Sequence, residues 1–161
     1  MILWNIYTNL KLNTDKDMED KIYITWDDFH QHTKNLVQKL KEENCLINQI
    51  VAVSRGGLIP AGILAYELNV RNCKAINMSS YDGNIKRNDS DITLETGTLS
   101  GLGKDTLIVD DLADSGRTFN ILKAIYPNAK YACVYAKPQG AKSADIYAVD
   151  LPEKWVVFPW D

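Results

Sequence analysis

The sequence has little that would support a metal cluster or a disulfide framework. Its 161 residues include three cysteines, Cys45, Cys73 and Cys133, and no CxxC pair. An odd set of this kind predicts reduced thiols in the core of a cytosolic protein. The two histidines, His30 and His32, have no cluster of ligand residues around them and are predicted to be surface residues of a helix.

Long apolar runs and a strong charge imbalance are also missing. No segment approaches the eighteen or so consecutive apolar residues of a membrane span, and no charged stretch precedes an apolar core as in a secretory signal. A net charge of −3, with no stripe of lysine and arginine, gives no reason to expect nucleic-acid binding. We therefore predict a soluble cytoplasmic protein without membrane or nucleic-acid partners, with enough apolar residues for one domain.

Short apolar runs alternate with helical patterns along most of the chain. Thr25 followed by Asp28 resembles a capping box, and it begins a helix predicted to end near Glu43. Strands are predicted at 50–53, 73–78, 107–109, 131–136 and 146–149, with helices ending near 68 and starting near 119. This alternation predicts an α/β fold in which a mostly parallel twisted sheet is flanked by helices on both faces.

Two segments depart from this alternation. Residues 1–20 begin mildly apolar and end polar, and three interpretations stay open: a loosely attached, disordered arm, a packing strand, or sequence upstream of a natural start at Met18. Residues 79–104 are rich in small polar residues and contain few large apolar ones. A segment of this length without a helix is more often a functional flap than a connector, so we predict a flexible flap at about 79–104.

The stretch TLIVDDLADSGRTFNILKAIY, residues 106–126, combines a buried strand, acidic residues, a small-residue turn and a helix. A glycine turn at a helix N-terminus directs backbone N–H groups, with the hydroxyls of Ser115 and Thr118, toward one point that favours negative charge. The turn matches neither the nucleoside triphosphate loop nor the dinucleotide fingerprint. It predicts a phosphate cradle.

Carboxylates precede this cradle. Asp110 and Asp111 can accept hydrogen bonds from vicinal hydroxyls or hold a hard cation, so phosphate and carboxylates together predict a sugar phosphate. The alternative interpretation is that the aspartates are a solvated strand end and that Ser-Gly is a simple turn. The complete pattern D-D-x-x-D-S-G-x-T favours the phosphate site over this alternative.

The complete pattern resembles the signature of type I phosphoribosyltransferases, which bind 5-phosphoribosyl 1-diphosphate (PRPP) through such a loop. The stretch AVSRGGLIPAGILAYEL resembles the pyrophosphate-binding element of the bacterial xanthine-guanine members. Gly56 and Gly57 allow close approach of an anion because they lack a Cβ, and Arg55 adds a charged donor fork. The segments ITWDDFHQHTKNLVQKL, SSYD, VYAKPQG and W-x-x-x-PWD extend the similarity, and it implies a phosphoribosyltransferase domain at 21–161.

The resemblance implies how the donor is held. The PRPP-binding residues would be Arg55, Gly56, Gly57, Asp110, Asp111, Leu112, Ala113, Asp114, Ser115, Gly116, Arg117 and Thr118. Mg²⁺ would bind at Asp111. Arg55 and Gly56 would hold pyrophosphate, often across an unusual cis peptide in this family, and the catalytic Arg87 of the flap would reach it on closure.

The resemblance also implies a purine pocket under a small C-terminal hood at about 137–161. Lys137 would donate to O6, Trp155 would stack on the base, and the Val156 backbone would meet its 2-position. Asp114, the second catalytic residue, would lie near N7. Without the resemblance, Lys137 fits an ordinary strand-end lysine and Trp155 fits a core residue.

The implied reaction moves phosphoribose from PRPP to N9 of guanine, xanthine or hypoxanthine. A donor-binding regulatory protein of the same fold and a phosphoribosyltransferase for another nucleobase stay open. Arg117 departs from the xanthine-guanine members, which have glycine at this position. Those members also have a short tail after the segment that matches PWD. A homo-oligomer, a dimer or a tetramer, is expected, but the absent tail and the arm at 1–20 leave its interface open.

Overall fold

The computed structural model describes residues 20–80, 92–94 and 99–161. Along these residues the order is β1 (Lys21–Tyr23), α1 (Trp26–Glu42), β2 (Gln49–Ser54), α2 (Leu58–Glu67), β3 (Asn72–Ser80), β4 (Ile92–Leu94), β5 (Thr106–Ala113), α3 (Arg117–Ile125), β6 (Lys130–Ala136), a 3₁₀ turn (Ala141–Ser143), β7 (Ile146–Asp150) and β8 (Trp155–Val157). Every strand and helix predicted from the sequence is present. The described residues contain no helix that is long and apolar enough to cross a membrane.

Six strands form the main sheet in the order β4-β3-β2-β5-β6-β7. All neighbours are parallel except β4, which pairs antiparallel with β3. Phe29, Leu36 and Leu64 of α1 and α2 belong to one buried cluster, and Phe119 and Leu122 of α3 belong to another. The predicted mostly parallel sheet with helices on both faces is therefore confirmed.

The strand order places a ligand crevice between β2 and β5. The chain leaves β2 through α2 toward β3 on one side, whereas β5 lies on the other side of β2 and continues through α3 toward β6. Ligands of open α/β sheets bind outside the carboxyl ends of strands at such a reversal. The loops that follow β2 and β5 are the two loops that the sequence singled out.

The start of α1 has the predicted capping box. The Asp28 N–H donates to Thr25 Oγ1 over 3.1 Å, and the Thr25 N–H donates to Asp28 Oδ2 over 3.3 Å. Two of the free N–H groups at the helix end are thus satisfied by side chains, which favours a fixed start for α1.

A second, two-stranded sheet joins the two ends of the described chain. In it β1 pairs in parallel with β8. Beyond β8, the Trp160 ring stacks on Phe158 with centroids 4.7 Å apart and meets the edge of Phe29 at 4.8 Å. The C-terminal tail is thereby fixed to α1. Strands of three residues are too short to show a period in the sequence, so β1, β4 and β8 were not predicted.

The sequence predictions for His32 and for two of the three cysteines are wrong. His32 is half-buried, and its Nδ1 lies 2.9 Å from the Tyr135 hydroxyl, so it is not a plain surface histidine. Cys133 is buried as predicted, but Cys45 is half-buried and Cys73 is exposed. Cys73 lies near the start of β3, where residues 72–75 are all exposed despite their apolar neighbours in sequence.

Candidate functional site

The turn after β2 packs directly against β5 because two of its residues are glycines. A Cβ on Gly57 would lie 2.3 Å from the Val109 carbonyl oxygen, and one on Gly56 would lie 2.3 Å from Asp111 Oδ2. A side chain at position 57 would overlap backbone atoms, and one at position 56 would require the Asp111 side chain or the turn to move. The turn contains a cis peptide bond, between Ser54 and Arg55, one residue before the Arg55 and Gly56 pair for which the resemblance implied one.

Asp110 and Asp111 lie at the carboxyl end of β5 and are half-buried. The Asp111 N–H donates to Asp110 Oδ1 over 2.9 Å, and the Leu112 N–H donates to Asp111 Oδ1 over 2.7 Å. Burial raises the pKa of Asp110 well above its ordinary range, and the neighbouring charge of Asp111 raises it further. Burial also raises the pKa of Asp111, while hydrogen bonds, first that with Asp110, oppose the shift.

The loop that follows β5 forms a small concave cradle. A cavity of about 70 Å³ is lined by Asp110, Leu112, Ala113, Asp114, Ser115, Gly116, Arg117, Thr118, Phe119 and Ser143. Gly116 has φ +82° and lies at the N-terminus of α3, a conformation that side chains disfavour. The structure therefore contains a concave cavity at the N-terminus of α3, where the sequence predicted the cradle.

A larger cavity of about 690 Å³ lies beside the cradle. It is lined by Arg55, Gly56, Leu58, Ile59, Asp111, Phe158, Trp160 and Asp161. Its volume is within the range of small-molecule sites. The structure thus brings the β2 turn, a β5 carboxylate and the C-terminal tail together around one cavity.

Lys137 is a buried lysine that faces the cradle loop. It is 7% exposed, and its Nζ lies 3.0 Å from Asp114 Oδ1. Buried lysines are rare unless paired. The backbone also joins these loops, because the Lys137 N–H donates to the Ala113 carbonyl oxygen over 3.0 Å. Lys137 is therefore not an ordinary strand-end lysine.

Two residues of the cradle were missed by the sequence analysis. A Cβ on Gly140 would lie 2.0 Å from the Ala113 carbonyl oxygen, and the buried Ser143 lines the cradle cavity. The Ser143 hydroxyl donates to the Gly140 carbonyl oxygen over 2.7 Å. The turn after Lys137 thus forms the back wall of the cradle, and Gly140 in the K-P-Q-G stretch was its only sequence signal.

Replacement of Gly140 tests this back wall. Gly140→Ala is expected to lower the free energy of unfolding by about 1–3 kcal/mol, the usual cost of overpacking, because the new methyl group overlaps the Ala113 carbonyl oxygen. Thermal unfolding measures it. Gly62→Ala is the matched control, since nothing lies within 4 Å of a Cβ there, and it should lose no stability. A Gly140→Ala protein as stable as the wild type would contradict the packing described.

The remaining predicted residues are placed differently. Trp155 and Val156 lie on β8, where Trp155 is 69% exposed and Val156 is buried, and neither lines the two cavities. Arg87, most of the predicted flap and residues 1–19 lie outside the described residues. Asp161 was not selected from the sequence, yet it lines the larger cavity and its Oδ2 accepts from the Phe158 N–H over 2.8 Å.

The buried acidic pair has a consequence for stability. Folding raises the pKa of Asp110 above its ordinary value of 3.8. Between that value and the folded-state pKa, the folded protein binds more protons than the unfolded chain, so stability falls as the pH rises through this window.

Asp110→Asn should remove this loss of stability with rising pH, because the amide does not ionise. We expect the variant to be more stable than the wild type at pH 7 by about 1 kcal/mol or more, which is about 2–4 °C in Tm per kcal/mol, with a flatter pH profile. Thermal unfolding from pH 4 to pH 8 measures it, with the exposed Asp27→Asn as the control. A variant less stable than the wild type at pH 7 would contradict the pKa assignment.

The phosphoribosyl transferase domain family matches residues 21–161. Among solved structures, a purine phosphoribosyltransferase from Pyrococcus horikoshii is 33% identical, with 88% of this chain and 94% of that chain covered and a TM-score of 0.72. A xanthine-guanine-hypoxanthine phosphoribosyltransferase from Helicobacter pylori is 26% identical over 87% and 93% of the two chains, with a TM-score of 0.70.

A Neisseria gonorrhoeae protein with bound ppGpp is 25% identical over 88% of this chain and 89% of that one, with a TM-score of 0.66. The family match spans the main sheet, the cradle, both cavities and the C-terminal tail. From the match and the fold together, we conclude that this chain belongs to the phosphoribosyltransferase family.

Proposed function

We propose that this protein transfers the 5-phosphoribosyl group of PRPP to N9 of a 6-oxopurine and releases pyrophosphate. One observation carries the proposal: the buried Lys137, paired with Asp114, lies at the loop that forms the phosphate cradle. A cradle alone suits any sugar phosphate, whereas a buried ammonium beside it suits a carbonyl group of the acceptor. The similar proteins from Pyrococcus horikoshii and Helicobacter pylori support purine as the acceptor class.

The donor would lie across the two cavities. The cradle, with its N–H groups at the start of α3, suits the 5′-phosphate, and Asp110 and Asp111 suit the ribose hydroxyls. Arg55 with the backbone N–H groups of Gly56 and Gly57 suits the pyrophosphate. This arrangement offers binding groups for the 5′-phosphate, the ribose hydroxyls and the pyrophosphate of PRPP, and the proposed reaction requires no protein nucleophile.

The chemical step needs positioning and charge stabilisation. Breaking the bond between C1 and the pyrophosphate oxygen develops positive charge on the ribose ring and negative charge on the leaving group. Arg55 would stabilise the leaving pyrophosphate, while Lys137 on O6 and Asp114 near N7 would hold the base in line with C1. Stacking by Trp155 and contact of the Val156 backbone with the 2-position stay predictions.

The acidic residues fit a magnesium ion that is shared with the substrate. Asp111 faces the larger cavity, and the described residues contain no group of three or more His, Cys, Asp or Glu side chains that could hold a metal ion. Mg²⁺ is commonly bound by one or two carboxylates plus substrate phosphates. When bound at Asp111, Mg²⁺ would supply charge neutralisation to the pyrophosphate.

Asp111→Asn tests the magnesium assignment. The amide keeps the shape of the carboxylate but removes its charge, so PRPP affinity should lose most of its dependence on Mg²⁺ concentration. Calorimetric titration of PRPP at several Mg²⁺ concentrations measures this, with Asp27→Asn as the control. Unchanged magnesium dependence of PRPP affinity in Asp111→Asn would remove Asp111 from the metal site.

A regulatory role is the second candidate function. The Neisseria gonorrhoeae protein with bound ppGpp shows that a similar fold takes a guanosine carrying several phosphates. A sensor of this kind would bind PRPP or ppGpp without turnover. A lysine that suits O6 would also suit the guanine of ppGpp, so Lys137 does not separate the two functions. We propose the enzyme first, because the similar proteins from Pyrococcus horikoshii and Helicobacter pylori are phosphoribosyltransferases.

The acceptor panel tests the proposed function. Turnover would be measured with PRPP and Mg²⁺ against guanine, xanthine, hypoxanthine, adenine and uracil. The proposal expects turnover with one or more of the three 6-oxopurines only. Turnover with uracil or adenine instead would identify a phosphoribosyltransferase for another base, and PRPP binding without turnover would favour the sensor. A cytoplasmic location and a role of Arg87 at the pyrophosphate stay predictions beside this proposal.

A further inference from the structure

Ser54 is the last residue of β2 and comes directly before Arg55, the first residue of the proposed pyrophosphate turn. Its backbone is the last part of β2 that pairs with β3, where it lies opposite Asn77. On the other side of β2, the pairing with β5 already ends at Ala52 and Val109. Ser54 is therefore the point at which the chain leaves the sheet to form the turn.

The Ser54 side chain joins this point to β3. Its hydroxyl donates to the Ile76 carbonyl oxygen over 3.1 Å, and it also lies within hydrogen-bond distance of Asn77 Oδ1. A serine hydroxyl has one proton, so the two oxygens share it in a three-centre hydrogen bond. Because both acceptors belong to β3, the side chain ties the end of β2 to the end of β3.

The opposite side of the turn is supported by packing against β5. A Cβ on Gly56 would overlap the Asp111 side chain, and one on Gly57 would overlap the Val109 carbonyl oxygen. Arg55 lies between this packing and the Ser54 hydrogen bond, and its own side chain is exposed. The position of its guanidinium group therefore depends on the backbone that the two supports hold.

We propose that Ser54 is a positioning residue for the pyrophosphate of PRPP and that Asn77 is its partner on β3. The hydroxyl would hold the turn from the β3 side, so that Arg55 and the N–H of Gly56 meet the pyrophosphate in one arrangement. This inference rests on the proposed function, since it concerns the leaving group of PRPP. Neither side chain has to contact the donor, because the displacement of a binding group by about 1 Å is enough to weaken its contacts.

Ligands with and without pyrophosphate test the role of Ser54. Ser54→Ala should lower the affinity for PRPP with Mg²⁺ by about 3- to 10-fold, the scale of one hydrogen bond. It should leave the affinity for guanosine monophosphate unchanged, because this ligand has a 5′-phosphate but no pyrophosphate. Ser54→Thr keeps the hydroxyl and should retain the wild-type affinity for PRPP. Calorimetric titration measures both ligands, and thermal unfolding checks that each variant is folded.

A double-mutant cycle tests the pairing with Asn77. Asn77→Ala should lower the affinity for PRPP by less than Ser54→Ala does, because the Ile76 carbonyl oxygen still accepts the hydroxyl proton. In the Ser54→Ala background, Asn77→Ala should have no further effect. Asn72→Ala is the matched control and should keep the wild-type affinity for PRPP, since the exposed Asn72 lies at the other end of β3 and donates to Gln49 Oε1.

The outcomes separate this inference from the proposed function. If the wild type binds PRPP and Ser54→Ala binds it equally well, the positioning role is wrong while the proposed function stands. An equal loss of affinity for PRPP and for guanosine monophosphate would also overturn it. If Asn77→Ala weakens PRPP binding equally with and without the Ser54 hydroxyl, Asn77 acts independently, and the proposed pairing is wrong. A wild type that binds no PRPP would overturn both proposals.

Discussion

Adenine is expected to be used at least about 10⁴-fold less efficiently than guanine. The Lys137 ammonium has three donors and no acceptor, so it can pair with O6 of a 6-oxopurine but meets another donor in the 6-amino group of adenine. Lys137 is buried and keeps Asp114 as its charge partner, but adenine would set an amino donor against the ammonium in place of the O6 acceptor. A polar mismatch of this kind supports discrimination of this size. The ratio of kcat/KM for the two bases at saturating PRPP measures the discrimination.

Replacement of the lysine provides the matched experiment. Lys137→Met should depress turnover of every 6-oxopurine. PRPP affinity should survive, because the side chain contacts the donor-binding residues through Asp114, and Arg55, Gly56 and the cradle backbone are untouched. Lys142→Met, at an exposed position of the 3₁₀ turn, should behave as the wild type. Among the accepted bases we expect guanine to be preferred, since the Val156 carbonyl would accept from its 2-amino group. Turnover of adenine within tenfold of guanine would show that Lys137 does not read O6.

Gly56→Ala should lower kcat/KM for PRPP by roughly 10²-fold or more, the scale of losing a transition-state contact. The new methyl group would lie 2.5 Å from Asp111 Cγ as well as 2.3 Å from Oδ2, so the carboxylate or the turn must move. The turn belongs to the proposed pyrophosphate site and the Asp111 carboxylate to the proposed magnesium site. One substitution therefore disturbs both sites.

Steady-state kinetics with PRPP varied at saturating guanine measure this effect. Leu46→Ala, a substitution of an exposed side chain, is the control and should keep wild-type kinetics. Thermal unfolding separates a local effect from loss of the fold. If folded Gly56→Ala keeps the wild-type kcat/KM for PRPP, the turn does not hold the donor.

The parts of the fold that the sequence predicted are those with a clear local period. The strand at 107–109 and the capping box at Thr25 could be predicted, because a few neighbouring residues determine each of them. The pairing of β1 with β8 could not be predicted, since it joins residues at opposite ends of the described chain. The exposure of Cys73 could not be predicted either, because it depends on which parts of the chain cover the start of β3.

The site divides in the same way. Residues 110–118 are contiguous and run from the end of β5 through the turn to the start of α3, so their pattern alone predicted a phosphate site. The contact between Lys137 and Asp114 joins two different loops, and only the family resemblance singled out Lys137. Gly140 and Ser143 were missed because their effect is steric: they support the cradle from behind and offer no charged group.

The measurement that tests the central claim most directly is the release of pyrophosphate from PRPP and Mg²⁺ with guanine added or left out. The account predicts guanine-dependent release, with one molecule of guanosine monophosphate formed for each pyrophosphate, and loss of this release in Lys137→Met. Binding of PRPP with no release of pyrophosphate that depends on guanine, xanthine or hypoxanthine, or release at the same rate without any base, would contradict it.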